Sequence, residues 1–239
     1  DKSVYRTDAA MEQGYVPNKR LFAYSAAIAG QNMHYAFING WLFYFCNNIL
    51  KIKAEYVGYI TGISRIWDAI NDPIVGALID RHIFKKTGEK LRPFLIYLPP
   101  FIGILSLLMF MDFGFGSVGA VALILICYLS WDVIYSMQDV SLWGMLSISS
   151  PHSEERARVA QWTAIGVTVG CAIAGTFPVV RDIMVNKIGI SDKKSFIIGA
   201  AILGLGGPLV SMLAGFMREQ VKNEAAPKES FFEAIFVLR

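Results

Sequence analysis

Apolar residues run in near-continuous blocks of about 20 along most of this chain, with short polar stretches between them. Blocks of that length suit helices that cross a bilayer, whose hydrocarbon core is about 30 Å thick. The pattern predicts six spans, at roughly residues 21–45, 56–79, 93–111, 118–147, 159–180 and 194–217. Between them lie a basic loop (80–92), a short Gly-rich turn (112–117) and a polar loop (149–158). Residues 1–20 read as a cytosolic polar tail, 21–217 as the bundle and 218–239 as a cytoplasmic loop that ends in the start of an amphipathic helix. The expected fold class is an all-α integral membrane bundle.

The second span breaks its own pattern. It carries Arg65, Asp68 and Asp72, which on a helix fall at i, i+3 and i+7 and share one face. A charge at membrane depth costs roughly 2.5–3.5 kcal/mol on insertion scales, so this face cannot point at lipid. It must look into a bundle or a watery cavity, with Arg65 placed to pair with Asp68. Asn71 adds an amide oxygen, and Pro73, lacking an N–H, leaves the Ala69 carbonyl without its helical donor. A plain Arg–Asp lock between two helices is the competing explanation; the second carboxylate, Asp72, needs a reason of its own.

The fourth span holds a matching set. Asp132 and Asp139 are seven apart and share a face, with Ser136 a turn from each. Four aspartates against one arginine cannot neutralise one another, so a bound cation or proton is implied. Trp143, one turn past Asp139, is either an interfacial anchor or a platform on which a ring stacks. The first span adds Gln31, Asn32, His34 and Asn39. Gly166 and Gly170 form a GxxxG that allows close helix contact, and Gly206, Gly207 and Pro208 should bend the sixth span.

Composition narrows the classes further. Apolar residues make up 54% of the 239, above the range usual for soluble domains. A net charge of +3 is too small to suggest nucleic acid as a partner. Three cysteines in three different spans argue against a disulfide framework, none has metal-ligand spacing, and no nucleophile–base pair points to an enzyme. Of the 22 Lys and Arg, 15 fall in the tails and loops of one side and 6 in those of the other, which predicts that both ends are cytoplasmic. The first residue is Asp rather than Met, so the natural N-terminus is expected to be missing.

The run from Arg65 to Pro73 resembles the signature of the glycoside–pentoside–hexuronide:cation symporters of the major facilitator superfamily. The likeness extends to the loop 80–92, the stretch from Asp139 to Trp143, and Glu154-Glu155-Arg156-Ala157-Arg158. It implies a fold of two six-helix bundles, of which this chain resembles the N-terminal half, with the C-terminal bundle in the same or a separate chain.

The resemblance implies a cation site of Asp68, Asn71, Asp72 and Ser136, with Na⁺ (or Li⁺ or H⁺) as coupling ion and no other cofactor or metal. It implies a solute site that includes Asp139 and Trp143. The family's acid in helix one falls here at Asn32, with Gln31 where its best-known member has lysine, and its helix five arginine falls at about Thr163, preceded by Trp162. Acid and base are lost together, and Asp132 is an added carboxylate, expected here to join Asp139, Trp143 and Asn32 around the solute. Asp80 and Arg81 fall in a loop expected to hold one conformational state. The implied function is cation-coupled symport of a sugar, glycoside or similar polar solute across the plasma or inner membrane. A lysolipid carrier of the same fold and a non-transporting sensor or assembly subunit remain as alternatives.

Overall fold

The computed structural model describes residues 13–84 and 87–221; the expectations on residues 1–12, on the Arg81 side chain, on Lys85 and Lys86 and on the segment from Phe231 lie outside the described residues. The described chain is helical throughout, and its loops divide it into segments α1 to α6. They are α1 (Asn18–Tyr44, ending in a π turn Phe45–Ile49), α2 (Ala54–Arg81) and α3 (Arg92–Tyr97 and Pro99–Met109). There follow α4 (Gly116–Ile148), α5 (Ser153–Lys187) and α6 (Asp192–Phe216). By length and composition α4, α5 and α6 are apolar enough to cross a membrane. Helices α1 and α2, with 27 and 28 residues, are long enough but carry the polar faces described above. Helix α3 is apolar but interrupted before Pro99, which cannot donate to the preceding turn.

One boundary differs from expectation for a physical reason. Residues 153–158 are not loop: α5 begins at Ser153, with Glu154 and Glu155 in its first turn, where negative charge complements the free N–H groups. Glu155 is buried, accepts the Val16 N–H at 2.9 Å and pairs with Arg158, so it ties α5 to the entry of α1. Helix α2, by contrast, runs unbroken through Pro73. In α6 the disturbance falls ahead of the proline, as a π turn over Ala200–Leu205. Pro208 deprives the Gly204 carbonyl of its usual i+4 donor, and His34 of α1 lies there instead, with Nδ1 at 2.9 Å. Because Trp131 Nε1 donates to His34 Nε2 at 2.9 Å, the buried imidazole is fixed with its proton on Nδ1. One neutral histidine thus staples α1 to α4 and α6.

Helices α1 and α5 form the most extensive helix pair. Gly166 and Gly170 explain it: a Cβ on either would run into the Ser25 or Ala29 carbonyl oxygen of α1. Gly170→Leu should therefore destabilise the bundle by about 1–3 kcal/mol through overpacking. Thr168→Leu, at an exposed position of the same helix, should be nearly neutral. Thermal unfolding in detergent compares the two; equal midpoints would remove the close-contact explanation.

The core has two layers. One joins Phe37, Phe45, Phe110, Trp131, Phe177 and Phe196; the other joins Leu21, Tyr24, Leu91, Leu142, Met145 and Met217. At the end of the second layer, Glu219 caps α3 by accepting the N–H groups of Lys90, Leu91 and Arg92 at 2.6–3.0 Å. Asp80 pairs with Lys90 at 2.7 Å and closes the α2–α3 loop, which Glu219 fastens to the exit of α6.

Candidate functional site

Helix α4 faces α2 on one side and α1 on the other, and its polar residues divide between them. On the α2 side, the buried Asn71 amide nitrogen donates to Asp132 Oδ2 at 2.9 Å and to Ser136 Oγ at 3.2 Å. Ser136 in turn reaches Asp72 Oδ1 at 3.4 Å. One chain of contacts therefore runs from Asp132 through Asn71 and Ser136 to Asp72. A turn away, Asp68 Oδ2 is 3.8 Å from Arg65, whose side chain is 80% exposed, so this pair is loosely held. The other oxygen, Asp68 Oδ1, is buried with no hydrogen-bond partner.

The donor set on this side consists of hard oxygens: carboxylates of Asp68, Asp72 and Asp132, the Ser136 hydroxyl and the Asn71 amide. Such groups suit a hard monovalent cation or a shared proton, and an orphaned carboxylate oxygen is where either would relieve a desolvation cost. Among the described residues, no three His, Cys, Asp or Glu side chains converge tightly enough to hold a metal ion. The carboxylates are strung along a shared face rather than closed into one shell.

On the α1 side, Gln31 Nε2 donates to Asp139 Oδ1 at 2.6 Å and also bonds the Tyr135 hydroxyl. Trp143 Nε1 donates to the same Asp139 oxygen at 3.2 Å. Asn32 bonds back to Gln31 Oε1 at 2.8 Å and to the Ile28 carbonyl at 3.0 Å. Tyr35 stacks on Tyr135 with ring centroids 5.3 Å apart, and Trp143 is 45% exposed. The result is a carboxylate held by two neutral donors beside open aromatic faces. That chemistry suits a ligand with hydroxyl donors and an apolar ring face.

Three placements depart from the sequence-based expectation. Asp132 belongs to the Asn71 chain on the α2 side rather than to the Asp139 group; the sequence gives its helical phase relative to Asp139 but not which neighbour its carboxylate reaches. Thr163 is buried; its hydroxyl donates to the Val159 carbonyl of its own helix at 2.9 Å and also lies against the Tyr24 hydroxyl of α1. Trp162 lines an apolar groove between α1 and α5, and its carbonyl accepts the Ser25 hydroxyl. Neither is joined to Asp139. In their place stand Gln31 and Tyr135. Tyr135 was findable by spacing, four residues before Asp139; Gln31 was singled out in the first span, but its contact with Asp139 needed the packing of α1 on α4.

A family model described as MFS/sugar transport protein matches residues 23–236. The chain belongs to this family. The expected kinship is thereby met, and the MFS/sugar transport proteins are transporters rather than enzymes. Among curated relatives, this family member is 27% identical to a lactose permease of Lactobacillus delbrueckii subsp. bulgaricus, over 84% of this chain and 34% of the relative. It is 26% identical to a raffinose carrier protein of Pediococcus pentosaceus, over 76% of this chain and 30% of the relative. It is 27% identical to the "Putative glycoside/cation symporter YagG" of Escherichia coli K12, over 79% and 40%. The chain thus spans between about a third and two fifths of the length of these relatives.

Proposed function

We propose that this chain is the six-helix N-terminal bundle of a cation-coupled symporter for a sugar, glycoside or similar polar solute, working by alternating access. In this reading α1 to α6 all span a plasma or inner membrane. Residues 1–20 and 218–239 are cytoplasmic, 21–217 form the bundle, and a C-terminal bundle in the same or a separate chain completes the pathway. The observation that carries it is the Asp132–Asn71–Ser136–Asp72 chain, which brings charged oxygens of two membrane-length helices together with exposed Arg65, among the described residues, as the one cationic side chain paired to this cluster. Exposed Arg65 and Asp72 also support a second bundle or a water-filled cavity opposite α2, because neither group tolerates lipid.

The coupling ion, Na⁺, Li⁺ or H⁺, is assigned to Asp68, Asn71, Asp72, Asp132 and Ser136, with Arg65 balancing Asp68. The solute is assigned to Asp139 and Trp143, supported by Gln31, Asn32 and Tyr135. The relatives named for lactose and raffinose make galactosides the first candidates. The two sites share α4, so a small shift of that helix on cation binding reaches both, and each ligand must then favour the other by the same factor. Asp80 and Lys90 hold the cytoplasmic loop in one of the two access states.

The test is uptake of labelled lactose and raffinose into proteoliposomes that hold this bundle together with its C-terminal bundle, under an imposed sodium gradient, a proton gradient or neither. Gradient-dependent accumulation is expected. Equal flux without any gradient would contradict coupling, and binding without flux would support a sensor instead.

A further inference from the structure

Asp139 lies on a helix apolar enough to cross a membrane, yet no cationic side chain balances it among the described residues. Its Oδ1 accepts from Gln31 at 2.6 Å and from Trp143 at 3.2 Å, and both donors are neutral. Its Oδ2 accepts no hydrogen bond among the described residues.

The helices around it cannot supply the charge. Residues 21–44 of α1, the whole of α4 and residues 159–180 of α5 contain no Lys or Arg. Their one histidine, His34, has both ring nitrogens engaged, by Trp131 and by the Gly204 carbonyl. Arg65 of α2 lies against Asp68. The charged group that acts on Asp139 from α2 is Asp72, a second carboxylate. A carboxylate without a counter-charge is costly in a membrane bundle, so the arrangement calls for a cation from outside these helices.

What stands beside the carboxylate says which kind. Trp143 fixes its indole N–H on Asp139 while its side chain stays exposed. Tyr35, one turn beyond Gln31 on α1, is also exposed and stacks on Tyr135. Tyr135 accepts the Gln31 amide, which leaves its own O–H to donate. Asn32 uses its amide nitrogen within α1 and leaves its side-chain oxygen as an acceptor. A carboxylate oxygen next to aromatic faces, whose negative centres attract cations, is complementary to an ammonium. A naked metal ion would gain little from the rings; an organic cation with hydroxyls and an apolar face uses all of these groups.

We infer that the solute is an amino sugar, with its ammonium on Asp139 Oδ2, its apolar ring face on Trp143 and its neighbouring hydroxyls at Asn32 and Tyr135. The inference rests on the solute site proposed above and narrows it to a cationic class, apart from the uncharged lactose and raffinose for which two relatives are named.

Galactosamine, galactose and N-acetylgalactosamine separate charge from shape, since only the first carries an ammonium. Each is titrated by calorimetry into the protein with its C-terminal bundle, at neutral pH and at low and high sodium. Galactosamine should bind about tenfold to a hundredfold more tightly than either uncharged sugar, the range of one charged hydrogen bond. Asp139→Asn should bring galactosamine within about twofold of galactose. The three sugars are compared in the parent first, so the outcome does not depend on whether the variant folds. Galactose bound as tightly as galactosamine in the parent, or more tightly, would overturn the inference; gradient-driven uptake, measured separately, would still uphold the symporter reading. An amine preference that persists in Asp139→Asn would overturn it by placing the ammonium elsewhere. Displacement of galactosamine by high sodium would place the ammonium on the α2 carboxylates, and would equally overturn it.

Discussion

Exchange of Asp72 for asparagine is expected to abolish cation-stimulated solute uptake while the protein stays folded and inserted. Asp72 is exposed on the shared face, and its only described contact is the Ser136 hydroxyl at 3.4 Å, so the helix packing does not rely on it. Asparagine keeps the shape and one oxygen but loses the charge. A unit charge about 4 Å from a cation, at an effective dielectric of about 20, contributes roughly 4 kcal/mol. That corresponds to about a thousandfold in cation affinity, enough to empty the site at ordinary ion concentrations. Uptake with and without sodium, and across a pH series, measures the effect, with gel filtration in detergent as the check on folding. Undiminished stimulation by every ion tested would remove Asp72 from the site.

Asp139→Ala should act on the other ligand. Its carboxylate is the acceptor shared by Gln31 and Trp143, and in the proposed site it also accepts the solute's hydroxyls. Hydrogen bonds to a charged group contribute about 1.5–3 kcal/mol each, and the variant also strands the Gln31 amide. Solute affinity at saturating cation is expected to fall about a hundredfold, with sodium binding by the α2 side little changed. Titration calorimetry with lactose, or with whichever solute the uptake screen returns, makes the comparison. Affinity within about twofold of the parent would mean that Asp139 and its neighbours only stabilise the α1–α4 contact.

The parts of this account that were legible in the sequence are those that helical spacing determines. The shared faces of Arg65, Asp68 and Asp72, and of Asp132, Ser136 and Asp139, follow from a repeat of 3.6 residues and needed no partner to be known. The close packing of α5 followed likewise from Gly166 and Gly170. What spacing cannot supply is the rotation of one helix against the next. Asp132 and Asp139 lie about 10 Å apart along one helix, and only the packing of α2 and α1 against α4 separates them into two groups. The surroundings of Trp162 and Thr163 depend on the same rotation: α5 turns Thr163 toward the Val159 carbonyl and the Tyr24 hydroxyl and Trp162 into the lateral groove. The helical start at Ser153 was hidden by charge, since a polar run reads as loop until Glu155 is seen closing onto the Val16 N–H.

The division of α4 between two ligands is the central claim, and Asp132→Ala tests it most directly. Solute affinity is measured by calorimetry across a series of sodium or proton concentrations in the parent and in the variant. In the parent, solute affinity should rise with cation concentration and then level off, as linkage between two sites requires. In the variant the rise should shift to cation concentrations about tenfold higher or more, while the plateau affinity stays within about twofold of the parent. A plateau that falls while the midpoint stays put would return Asp132 to the solute and contradict the division proposed for α4.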